Sequence, residues 1–93
     1  MVINQIGKMK YKCTYTSGSG EEFEDGIWEE KVTPKTRRLT KIEEYMSGIY
    51  AMHEVGQTFR VGGEFGNPVR DHEDGTFTVY FKRAGTPYYF EPL

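Results

Sequence analysis

Ninety-three residues, with 14 acidic and 12 basic side chains and a net charge of −2 at pH 7, make a single domain, 1–93, with one modest core. The lone cysteine, Cys13, excludes an internal disulfide, and with it the disulfide-built class of secreted domain. The first residues form no apolar signal core and no apolar run approaches the ~20 residues of a membrane span, so the expectation is a soluble, cytoplasmic protein.

Aromatic residues make up 15% of the chain, with seven Tyr and six Phe, whereas Leu occurs only at Leu39 and Leu93. Rings fit a pleated, half-buried surface, so this composition points to sheet. Met9, Tyr11, Cys13 and Tyr15 alternate with polar residues, the pattern of a strand with one buried face. Ser17-Gly18-Ser19-Gly20 turns the chain into a return strand over 21–32 with Phe23 inward. Trp28 has the opposite parity to Phe23, which predicts a bulge near Asp25-Gly26; a hairpin turn at Asp25-Gly26 is the competing reading. Thr33-Pro34-Lys35-Thr36 ends that strand.

A capping box at Thr40 and Glu43, with Leu39, Ile42, Met46, Ile49, Tyr50 and His53 at helical spacing, predicts one short helix. Residues 57–65 then place Phe59, Val61 and Phe65 on one face, with a bend at Gly62-Gly63 and a turn at Gly66-Asn67-Pro68. Asp74-Gly75 marks a tight turn before a strand over 76–83, with Phe77, Val79 and Phe81 as the core centre and Thr78 on the opposite face. Ala84-Gly85-Thr86-Pro87 leads into Tyr88-Tyr89-Phe90. The fold expected is α+β and β-rich, a strongly bent antiparallel sheet or small five-stranded barrel with one short helix; an all-β fold is the alternative.

Charge is sorted into blocks: +3 over residues 1–20, −6 over 21–30, +5 over 31–41 and −4 over 42–93. The acidic block interleaves carboxylates with Phe23, Ile27 and the only Trp. Glu21, Glu22, Phe23, Glu24, Asp25, Trp28, Glu29 and Glu30 therefore form a candidate surface for a protein partner with a basic face, aromatic anchors being steered by charge. The same block also fits a strand edge with Trp28 in the core and glutamates discouraging edge pairing. Lys8, Lys10, Lys12, Arg37 and Arg38 are the candidate nucleic-acid contacts, although Lys–Glu pairs across the first hairpin would neutralise much of that patch.

No enzyme signature is present. Cys13 sits on an apolar face, where a thiol is inert. Asp71-His72-Glu73-Asp74-Gly75 lacks the alternating spacing and closing Glu of a calcium loop and reads as a polar turn, so no metal or cofactor is expected. The leading expectation is a non-enzymatic protein-binding module of the kind a phage encodes to inhibit a host or defence enzyme that handles nucleic acid. A small-barrel nucleic-acid-binding protein is the alternative. A small structural or self-assembling phage protein is the third reading, its tail Tyr88-Tyr89-Phe90 adding to a neighbour's sheet edge.

Overall fold

The computed structural model describes residues 9–45, 52–81 and 85–93. The first hairpin pairs β1 (Met9–Thr16) with β2 (Glu22–Val32). Its turn falls at Ser17–Gly20, where the Gly20 amide donates to the Ser17 carbonyl at 2.9 Å. Lys12 faces Ile27 while Thr14 faces Glu24, so β2 carries one extra residue opposite Cys13. This is the bulge expected at Asp25-Gly26, and Gly26 takes the positive φ (90°) that it requires. The register shift puts Phe23 beside Tyr15 and Trp28 beside Tyr11 on the same face. The competing hairpin turn at Asp25-Gly26 does not occur.

After Thr33–Thr36, closed by the Thr33 amide donating to the Thr36 carbonyl at 2.8 Å, comes β3 (Arg37–Glu43). The expected helix start at Thr40 and Glu43 is thus a strand. Leu39 and Lys41 are buried while Thr40 and Ile42 are only partly so, a period of two. A lysine in the inward register disguised that alternation. Met46, Ile49 and Tyr50 lie outside the described residues. There is no helix among the described residues, so the α+β expectation gives way to the all-β alternative.

Four further strands complete one antiparallel sheet: β4 (Thr58–Val61), β5 (Val69–Asp71), β6 (Phe77–Phe81) and β7 (Thr86–Pro92). The order is β4-β3-β2-β1-β7-β6-β5, two meanders joined where β7 returns beside β1. Flat, this sheet would hold β4 and β5 about six strand spacings apart, roughly 29 Å. Yet Val61, the end of β4, bridges Asn67, two residues before β5 begins. The sheet must curl so that the end of β4 comes back to the start of β5. Phe59 of β4 and Phe81 of β6 accordingly pack with ring centroids 4.4 Å apart. Seven strands in a curled half-barrel replace the expected five-stranded barrel.

The concave side holds the core, where Cys13, Trp28, Leu39, Val79, Phe81 and Phe90 are shut off from solvent. Phe77, Val79 and Phe81 occupy its centre as expected. One expectation fails beside them. Phe65 is 79% exposed, because β4 stops at Val61 and the positive φ of Gly62 and Gly63 swings the chain out of the strand. Thr78 faces away from the core but is buried, its hydroxyl bonded to His72 Nε2 at 2.8 Å. The tail Tyr88-Tyr89-Phe90 lies in β7, paired to β1 on one side and β6 on the other, so its backbone has no edge to offer a neighbour. No helix among the described residues is long and apolar enough to cross a membrane.

Candidate functional site

The acidic decapeptide is pulled apart by its own strand. Glu21 and Glu22 are exposed where β2 begins, and Phe23 is half-buried against Tyr15. Glu24 pairs with Lys12 at 3.2 Å. Asp25, Trp28 and Glu30 are buried and cannot line a docking surface. Trp28 fills the core and its indole N–H donates to the Asp25 carbonyl at 3.1 Å. Glu30 accepts from the Tyr11 hydroxyl at 3.0 Å and from Arg37 Nε. Burial first, then the Glu30 charge, pushes the Tyr11 hydroxyl up to about 12. Glu29, half-buried, stands opposite Lys10 on one side and Thr40 on the other.

The basic candidates do not converge either. Lys8 lies outside the described residues. Lys10 faces Glu29, and Lys12 is paired with Glu24 and directly opposite Glu91 of β7, so the hairpin neutralises this patch as its sequence suggests. Arg37 is engaged by Glu30 and stands 5.2 Å over the Phe77 ring. Arg38 is different. It lies between Lys31 of β2 and Arg60 of β4, directly opposite both, and all three side chains are exposed. None of the three is in a salt bridge among the described residues. The result is a row of cations, one per strand, across the convex face at about 4.8 Å spacing.

Arg60 also belongs to the wall of an open cleft of about 580 Å³ between the β2–β3 turn and the β4–β5 loop. Lys35 and Arg37 line it too, together with Glu64 and Phe65. Lys31, Arg60 and Phe65 went unnoticed in the sequence because only the pairing of three strands brings them together; the high positive charge of residues 31–41 was the sole hint.

A second cluster is wholly internal. Lys41 Nζ donates to Asp25 Oδ1 at 2.8 Å and to the His53 carbonyl at 2.6 Å, and the Met52 amide donates to the same Asp25 oxygen at 3.2 Å. His53 Nε2 stands 3.8 Å from Asp25 Oδ2. The imidazole is boxed by Trp28, Phe59, Phe81 and Tyr88, with centroids 4.7 to 5.5 Å away. Tyr88 Oη has no hydrogen-bond partner among the described residues, and burial followed by the Asp25 charge pushes its ionisation to higher pH. Burial, seconded by the same carboxylate, holds the Cys13 thiol well above its ordinary range, so it stays protonated. An amine, a carboxylate and an imidazole are the ingredients of acid–base chemistry. Here they are sealed from any substrate: Asp25 and Lys41 are 0% exposed and His53 4%.

Comparison of the chain with protein-family models, curated proteins and solved structures gives no match.

Proposed function

We propose that this chain is a non-enzymatic binding domain whose working surface is the convex face of β2, β3 and β4, and that its partner there is anionic. The observation that carries this reading is the row Lys31–Arg38–Arg60. Like charges directly opposite each other destabilise a sheet. Three in succession, with no acid paired to them among the described residues, work against the fold, and an anion laid across them removes the repulsion. A local pole of this kind steers an oppositely charged partner despite the overall charge of −2. The seclusion of Asp25, Lys41 and His53 and the protonated Cys13 thiol support a binding role over catalysis.

Retention on heparin at low ionic strength tests the proposal. The native protein should be retained, and Lys31→Glu/Arg38→Glu/Arg60→Glu should flow through, while Lys10→Glu/Lys12→Glu on the neutralised patch should elute much as the native protein does. Equal elution of the two variants sinks it.

A second reading keeps what remains of the acidic surface. Glu21 and Glu22 are exposed beside half-buried Phe23, a small pole suited to a basic protein, such as the enzyme a phage-encoded inhibitor would block. If that pole is the working one, Glu21→Lys/Glu22→Lys abolishes capture of a partner that the triple charge reversal leaves bound.

A further inference from the structure

We infer that the anionic partner is a single-stranded nucleic acid, its phosphates running along Lys31, Arg38 and Arg60 and one base stacking on Phe65; the inference rests on the anionic-partner reading above. The row alone would serve any polyanion. What selects nucleic acid is the ring at its end. Phe65 is 79% exposed, more than any other large hydrophobic side chain among the described residues, and it lines the same cleft as Arg60 and Lys35.

The loop that presents this ring is tightly built. The Gly62 amide donates to the Asn67 carbonyl at 2.7 Å, and the Asn67 amide and side-chain Nδ2 both donate to the Arg60 carbonyl, at 3.1 and 2.8 Å. A side chain at Gly66 would collide with the Gly62 carbonyl, so the loop closes on glycine alone. The backbone of Arg60 therefore anchors the segment that carries Phe65, which couples the last cation of the row to the ring. An aromatic face held beside a track of positive charge is how single strands are bound without sequence preference, because every base has a π-face and every linkage a phosphate. A duplex keeps its bases stacked away from such a ring, and a purely acidic peptide has no ring to lay on it. Glu64 lines the cleft as well and repels phosphate, which confines the strand to the Lys35 and Arg60 side.

The test compares three labelled probes by fluorescence anisotropy at low salt: an oligothymidylate of about 12 nucleotides, an abasic phosphodiester of the same length, and a polyglutamate peptide. The native protein should bind the oligothymidylate with a Kd of roughly 1–100 μM and the other two more weakly. Phe65→Ala, at an exposed position, should keep the native melting curve and weaken the oligothymidylate by roughly 5- to 150-fold, the effect of one lost stack, without changing the abasic probe. Arg60→Ala should weaken both phosphodiesters and lower the salt slope by ~0.7. Unchanged oligothymidylate binding in Phe65→Ala, or equal affinity for all three probes, overturns the nucleic-acid inference and leaves the anionic-partner reading standing. Binding of none of the probes, with no retention on heparin, overturns both.

Discussion

Lys41 Nζ lies 2.8 Å from Asp25 Oδ1, on the neighbouring strands β3 and β2, and solvent reaches neither side chain. The bulge in β2 is what aims Asp25 at this point, and the Met52 amide and His53 carbonyl complete the polar shell. Removing one partner strands a buried charge, which typically costs ~3–5 kcal/mol. Asp25→Asn and Lys41→Met should each destabilise by that order in urea unfolding, and the double variant by clearly less than their sum. Additive losses within ~0.5 kcal/mol would show that the two charges do not depend on each other. Lys12→Ala, which breaks the surface pair with Glu24, should shift the urea midpoint far less than either.

Phe81 of β6 is in contact with Phe59 of β4 and Tyr88 of β7 across the inside of the curl. Phe81→Ala should therefore cost ~3–5 kcal/mol, enough to leave a domain of ~5–15 kcal/mol marginal. Thr78→Ala removes only the hydroxyl bonded to His72 and should cost ~1 kcal/mol. Denaturant midpoints in the order native, Thr78→Ala, Phe81→Ala confirm this; coincident variants contradict it.

Gly26 combines a φ of 90° with closeness to its neighbour: a Cβ there would strike the Glu43 carbonyl oxygen and lie 2.8 Å from Lys41 Cε. Gly26→Ala should therefore lose more than the ~1–2 kcal/mol that left-handed backbone alone costs. Gly18→Ala, in open space at the first turn, should melt within a degree or two of the native protein. Similar melting temperatures for the two variants would mean that β2 has no bulge at this point.

Alkali should unfold the protein. In the unfolded chain tyrosine ionises near pH ~10, whereas the buried Tyr11 hydroxyl, beside Glu30, holds its proton up to about 12. Between those values the folded state binds more protons than the unfolded one, so stability falls as pH rises. It is fully present below the unfolded value and lost through the folded one. Tyr88 and Cys13, both raised chiefly by burial, add to the decline, the thiol from about pH 8.5 upward. Urea midpoints at pH ~8, ~10 and ~11 should drop steadily, and Tyr11→Phe should flatten the last interval. A parent and variant with the same slope would place the Tyr11 hydroxyl in water.

β1 and the core strand around Val79 were legible because apolar and polar residues alternate there without interruption, the bulge because Trp28 breaks the parity set by Phe23, and glycines mark the turns. β3 was not legible. Lys41 occupies an inward position that periodicity assigns to an apolar residue, and its partner Asp25 lies 16 residues away across a strand pairing. Asp25, Lys41 and His53 form no local motif; only the bulge and the strand order assemble them. The same holds for the row Lys31–Arg38–Arg60, of which only Arg38 stood out in the sequence. The acidic block misled for a related reason. Carboxylates were counted as surface charge, whereas Asp25 and Glu30 are each satisfied indoors by a basic side chain.

The seam between β1 and β7 joins residues 11–15 to residues 88–92, and it runs through the middle of the sheet. A nascent chain leaving the ribosome must therefore expose the bare flank of β1, and later that of β6, throughout synthesis of everything between. Neither meander can be sealed to the other until residue 92 has cleared the exit tunnel. Final closure waits for β7 and is a step of high contact order with correspondingly slow kinetics. During that interval Tyr11, Tyr15 and Trp28 are bare rings on an open strand, the species on which a holdase would act.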